Sequence, residues 1–223
     1  MEDKIAHAHR WRIGGGLPLL GIAVALVACS SPQPRLYLMN TMQVQQSQRA
    51  ELAGSSDQAR RDASASLPGL KAGLSVTIPE YLDRPDILVR SDGNELAPLP
   101  NARWAEDLSI TTSRVMANDL AAALPGADIV AWPTRIERSI NYRIAVDLTK
   151  FESDAHGTVE IEGRWALLDN RSGATRASGR FRHAKNVQTV DAKAMVQAMS
   201  ELLAMTSTEI ATQLQPLRLA SAR

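Results

Sequence analysis

The chain has 223 residues, 25 Lys and Arg against 24 Asp and Glu, and 44% hydrophobic residues, of which few are aromatic. At about 100–200 residues per domain, that length fits one domain with an appendage. A net charge of +1 offers no broad cationic surface to a phosphate backbone, so no nucleic-acid partner is expected, and the single cysteine excludes a disulfide framework and a Cys-rich zinc site.

The first thirty residues are unlike the rest. Lys4, Arg10 and Arg12 make a basic head, and Ile13 to Ala28 then run without a charge. The run falls short of the ~20 apolar residues that span a bilayer and suits the apolar region of a signal peptide. It closes on Leu26-Val27-Ala28-Cys29, which resembles a bacterial lipobox. Cleavage before the only cysteine is therefore expected, leaving Cys29 as an acylated N-terminus. Each buried methylene adds ~0.8 kcal/mol, so one chain binds marginally and a multiply acylated cysteine holds permanently. Ser30 and Ser31 follow. The lack of Asp directly after the cysteine points to the outer membrane. Loss of the leader removes three basic and two acidic side chains and leaves 22 of each sign. With its thiol acylated, Cys29 supplies no redox or nucleophilic chemistry.

The expected division is a leader over 1–28, then an acylated N-terminus, first strand and insertion over 29–66. The folded domain runs over 67–215 and a tail over 216–223. Arg35 to Met39 reads as a first strand. Residues 43–66 are rich in Gln, Ser, Ala and Arg and read as a mobile insertion or frayed helix. Leu74, Val76 and Ile78 alternate with polar residues up to Pro79, giving a second strand. Ile87 to Val89 begins a third, with Asp92-Gly93 as the centre of a hairpin turn and Glu95 to Leu99 as the return.

From Trp104 to Leu124, apolar residues recur at helical spacing until Pro125-Gly126. Ile129 to Trp132 is a brief strand. Two long strands alternate cleanly, one through Ile140, Tyr142, Ile144, Val146 and Leu148, the other through Val159, Ile161, Trp165 and Leu167. Ser153 to Gly157 reads as the turn between them. Asn170 to Gly173 is the next turn, Ala177 to Ala184 a further strand, and Asp191 opens a last helix with Met195, Met199, Leu202, Thr206 and Ile210 in a stripe. The pattern predicts an α/β fold: a three-layer domain with a mixed, partly antiparallel β-sheet flanked by helices.

The chemical motifs are sparse. His7 and His9 leave with the leader, and His156 and His183 stand apart with no metal-ligand spacing, so no metal and no cofactor are expected. There is no Gly-x-Ser-x-Gly elbow and no phosphate-binding Gly-x-x-x-x-Gly-Lys loop. Glu160 and Glu162 share a strand face about 6–7 Å apart, which the solvated side of an amphipathic strand explains better than a glycosidase pair. Arg180 and Arg182 flank Phe181 in the same way. Met195, Met199 and Met205 could line a soft lipid groove, but a helix packed on its own sheet accounts for them more simply. No catalytic constellation emerges.

One loop stands out. Ile78-Pro79-Glu80-Tyr81-Leu82-Asp83-Arg84-Pro85 places a Tyr, a Leu and an Arg between two prolines. Each proline fixes φ near −65°, and Pro85 turns Arg84 away from helix, so a stiff, extended loop is expected. Pro79, Tyr81, Leu82, Arg84 and Pro85 are the candidate interface residues, because Tyr and Arg are frequent hot spots and a preorganised loop loses little entropy on binding. The structural alternative packs Tyr81 in the core and pairs Arg84 with Asp107 or Glu106.

With Tyr37-Leu38, the Pro79–Pro85 loop, Asp92-Gly93-Asn94 and Arg103-Trp104-Ala105-Glu106-Asp107-Leu108 in this order after a lipobox, the chain resembles the ABC-type transport auxiliary lipoproteins of the PqiC (YmbA) type. The likeness covers residues 29–215. It implies a non-catalytic outer-membrane lipoprotein on the periplasmic side of the envelope, docking an MCE-domain protein of an inner-membrane lipid or organic-compound transport system. It also implies ring-like homo-oligomers. The alternative function is a periplasmic lipid-carrier lipoprotein, which needs an apolar cavity.

Overall fold

The computed structural model describes residues 33–53, 67, 69–134 and 139–217. The leader, Cys29 and most of the predicted insertion (54–66) lie outside the described residues, as does the end of the tail.

The elements follow the chain in the order β1 (Arg35–Tyr37), α1 (Met42–Ala53), β2 (Lys71–Thr77), a 3-10 turn (Glu80–Leu82), β3 (Asp86–Arg90) and β4 (Leu96–Trp104). Then come α2 (Leu108–Ala123), β5 (Asp128–Ala131), β6 (Tyr142–Asp154), β7 (Thr158–Asp169), β8 (Thr175–Asn186) and α3 (Ala192–Leu214). The eight strands form one mixed sheet, so the α/β class read from the sequence is the class observed.

The sheet is organised around β6, whose 13 residues exceed the reach of either parallel neighbour. Along one edge it pairs antiparallel with β7, which pairs antiparallel with β8. Along the other edge it serves two partners in turn. Its first half, Tyr142 to Asp147, lies parallel to Ala72–Thr77 of β2, which carries β5 beyond it. Its last residues, Ser153 and Asp154, lie parallel to Val89 and Arg90 of β3, which leads to β4 and the edge strand β1. The sheet therefore forks, and the connection from β2 to β3 sits in the fork.

Alternation in β6 buries Tyr142, Ile144, Val146 and Leu148, then slips by one at a bulge between Leu148 and Lys150 so that Phe151 again points inward. On that inner face α2 packs over β2 and β5, and α3 over β7 and β8, with the two helices in contact and α1 against α3. The opposite face carries Arg143, Asp147, Thr149, Arg164 and Arg182. Asp107 caps α2 by accepting from the Ser109 and Ile110 amides, and Asp191 caps α3 by accepting from Ala194.

Several boundaries shift from the sequence reading. The predicted short return strand runs on through Pro98 and Pro100 to Trp104, so Trp104 ends a strand and α2 begins four residues later. β1 pairs only with Ala102–Trp104, so no ladder partner on that side needs an N–H from Pro98 or Pro100. The hairpin turn is centred on Gly93-Asn94 rather than Asp92-Gly93: Glu95 N–H donates to the Asp92 carbonyl at 2.9 Å, and Gly93 takes the positive φ of 52° that its position demands. Ser153 and Asp154 belong to β6 instead of the following turn, because β3 pairs with them. Residues 43–53 of the predicted insertion are helical, in α1, which begins at Met42, whose N–H donates to the buried Asp119 carboxylate of α2 at 2.7 Å.

Candidate functional site

Motifs far apart in sequence meet at one end of the sheet. The Trp104 amide donates to the Pro85 carbonyl at 2.8 Å, and the Ala105 amide to the Tyr37 carbonyl at 2.9 Å. The Pro79–Pro85 loop and the Arg103–Leu108 segment thus become two walls of one cleft of about 370 Å³, lined by Asp83, Arg84, Pro85, Trp104 and the residues up to Leu108. Sequence order gave no reason for these segments to touch. The parallel pairing of β1 with β4 and the antiparallel pairing of β3 with β4 bring them together.

The loop is not extended. The Leu82 amide donates to the Pro79 carbonyl at 2.9 Å and the Asp83 amide to Glu80 at 3.1 Å, closing a 3-10 turn. Pro79, at φ −54° and ψ 137°, precedes that turn and so leaves it free to form; Pro85 restricts only Arg84, beyond its end. Leu82 points into the core at 4% exposure. It anchors the loop and offers a partner no side-chain surface. Pro79 is half-buried, while Tyr81, Arg84 and Pro85 are exposed.

Tyr81 is neither a core residue nor a free one. Its hydroxyl donates to Oε2 of Glu152 at 2.8 Å, and Arg90 Nε donates to Oε1 of the same carboxylate at 2.5 Å. Glu152 lies on β6 at the fork with its side chain buried. Burial, and then the hydrogen bond to this carboxylate, push the Tyr81 hydroxyl up to about 12. Glu152 therefore positions the loop through Tyr81 and ties it to β3 through Arg90. Sequence reading missed both partners. The available signal was the break in β6 alternation after Leu148, which puts Phe151 inward and turns Glu152 to the face where the loop lies.

Arg84 pairs with neither Asp107 nor Glu106. Its guanidinium lies 3.5 Å from Asp86, which also takes Arg103 Nε at 3.4 Å. Asp107 is committed to capping α2, and its hydrogen bonds from Ser109 hold its carboxyl below the ordinary value. Glu106 accepts from Arg114 at 2.6 Å and Thr111 at 2.9 Å and is likewise lowered. Both arginines keep about half of their side-chain surface exposed.

Elsewhere, Glu160 and Glu162 lie on the open face of β7. Lys150 and Arg182 both pair with Glu160 and hold its carboxyl low, and Arg182 approaches Glu162 at 3.9 Å. Met195 and Met199 are core residues. Met205 is exposed and lines a groove of about 650 Å³ between α1, α3 and β8. His183 (2.9 Å from Glu209), Lys185 and Glu201 also line it. The Lys185–Glu201 ion pair makes the groove unlike the wholly apolar cavity that a carrier of acyl chains needs. His156 sits in the β6–β7 turn and His183 on β8, and among the described residues no group of three His, Cys, Asp or Glu could hold a metal ion. No helix among them is long and apolar enough to cross a membrane.

Among the described residues the site is thus a proline-bracketed loop in the fork of a mixed sheet backed by two long helices. The chain matches the model of the ABC-type transport auxiliary lipoprotein component family over residues 43–211 and belongs to that family. No curated protein matches it. Among solved structures it is similar to a protein from Xanthomonas campestris at 20% identity and a TM-score of 0.58, covering 82% of this chain and 93% of that one. An uncharacterised protein is similar at 21% identity and a TM-score of 0.57, covering 67% of this chain and 95% of the other. At these identities the likeness is one of fold.

Proposed function

We propose that the protein is a non-catalytic subunit of an envelope transport system, anchored in the outer membrane through an acylated Cys29. In this reading it docks the periplasmic end of an MCE-domain protein of the inner-membrane transporter. The observation that carries it is the cleft: two family motifs meet there, and Tyr81 and Arg84 stand exposed on a loop that Leu82, Glu152 and Asp86 already hold in place. A surface of that kind loses little conformational entropy when a partner arrives, and an exposed aromatic beside an exposed arginine is a frequent hot-spot composition. No cofactor enters this function. The same edge is a candidate contact between subunits of a homo-oligomer.

The test is Tyr81→Ala with Arg84→Ala in the full lipoprotein, assayed by cross-linked capture from envelopes and by sizing. Capture of the MCE partner should fall at least tenfold, or the assembly should shrink, while the thermal midpoint moves only a few degrees. Unchanged capture and unchanged assembly at normal protein levels would overturn the docking role.

A further inference from the structure

The strand nearest the anchor shows its apolar side to solvent. β1 is an edge strand that pairs only with β4, and its Leu36 is 65% exposed, with Leu38 just beyond it at 46%. Leucines two residues apart on extended chain lie on one face, and the register fixes which. Leu36 stands opposite Arg103 of β4, and Arg103 opposite Asp86 of β3. Paired residues share a face, so Leu36, Arg103 and Asp86 lie together on the side away from the helices, where Asp86 also meets Arg84. Tyr37 points the other way and packs on the core beside Trp104. The patch combines two exposed leucines with Arg84 and Arg103 against the carboxylate of Asp86.

Covalent length says what such a patch can reach. Cys29 is six residues before Arg35, and six extended residues span at most about 22 Å. Any bilayer holding the acylated cysteine is thus held within that distance of β1. Apolar side chains flanked by guanidinium groups are the composition of a surface that rests in the headgroup region of an anionic membrane. We infer that the open face of β1, with Leu36, Leu38 and Arg103, is a second membrane contact that seats the domain on anionic phospholipid and fixes its orientation. This rests on the reading of Cys29 as the acylated anchor.

The experiment uses the full lipoprotein in vesicles of phosphatidylethanolamine and phosphatidylglycerol, carrying one nitroxide label on Leu36→Cys, Leu38→Cys or, as reference, Met205→Cys. Intact mass first reports whether Cys29 is acylated; a free thiol there would sink the anchor reading and this inference with it. With the acyl chains present, labels at 36 and 38 should lose collisions with a water-soluble nickel chelate and gain them with dissolved oxygen, while the label at 205 does not change. Replacing phosphatidylglycerol with phosphatidylcholine should weaken that shift. Labels at 36 and 38 that stay as accessible to the chelate as 205 would overturn the contact while leaving the anchor intact. Labels shielded from both chelate and oxygen would also overturn it, since a protein surface would then cover the strand.

Discussion

On one side of β6 lie β7 and β8, joined to it by short turns and long unbroken ladders. On the other side lie β3, β4 and β1, which touch β6 at only two residues and otherwise meet it through the Pro79–Pro85 loop. The first wing is held by apolar packing, with Phe151, Ile161, Trp165 and Phe181 turned toward α3. The second also buries Leu82, Ile87, Leu88, Val89 and Trp104, and adds polar contacts at single points: Tyr81 and Arg90 on Glu152, Arg84 and Arg103 on Asp86. Area burial tolerates the loss of any one polar group. The wing with two shared carboxylates is the more sensitive to such a loss, and it is this wing that carries the exposed residues. Rigidity by packing makes a scaffold, whereas rigidity by a few directed bonds makes a loop whose outer side stays free for a partner.

The largest expected effect tests the packed wing. Phe151→Ala removes a fully buried ring at the point where the bulge restores the inward phase, and about 3–5 kcal/mol should be lost in denaturant unfolding. A loss below about 1 kcal/mol would mean that this wing is not held by its core. Gly163→Ala comes next. A Cβ there would lie 2.4 Å from the Asp147 carbonyl oxygen and 2.8 Å from the Phe181 ring, so β7 must shift, at about 1–3 kcal/mol.

The polar wing is tested by Glu152→Gln, which should cost about 2 kcal/mol because two charge-assisted or shared bonds converge on this carboxylate. Glu160→Gln, on the open face of the packed wing, should cost under about 1 kcal/mol despite having two cationic partners, since surface pairs contribute little. Equal losses in the two variants would erase the distinction drawn between the wings.

Titration sharpens the same contrast. Tyr81 is raised from 10.0 to about 12. The folded state thus holds this proton more tightly than the unfolded chain, and the stability it contributes is complete below pH 10 and lost as pH rises through 12. Spectrophotometric titration should show a late step from Tyr81, and Glu152→Gln should bring it part of the way back, because burial remains as the larger cause.

A further pH-dependent effect belongs to the helical layer. Asp119 of α2 is raised from 3.8 to about 6 by burial, against the opposing bond from the Met42 amide. Its contribution is therefore greatest below pH 4 and declines as pH rises through 6, with a slope of at most ~1.4 kcal/mol per pH unit. In Asp119→Asn that segment of the pH profile should be flat; an unchanged slope would assign it to another group.

The sequence by itself determined the elements whose signal is local. Period-two alternation in Tyr142–Leu148 and Val159–Leu167 marked the central strands, because one face of each is buried and a single-residue slip would expose it. The methionine and leucine stripe marked α3, and Asp191 its start, because capping and helical spacing act within one turn. The family, too, was legible from motifs that stand in fixed order. What only the tertiary structure decided depends on which strands become neighbours. The continuation of β4 through Pro98 and Pro100 follows from its pairing with β1 and β3, which no propensity records. The division of β6 between β2 and β3 needs a strand longer than either partner and a bulge whose position is set by ladder geometry. Leu82 turned inward and Tyr81 outward because the 3-10 turn closed over Glu152, a residue 71 positions away along the chain from the tyrosine it holds. Local chemistry fixes what a segment can become; long-range pairing chooses what it meets, and the loop acquired its exposed face only through that choice.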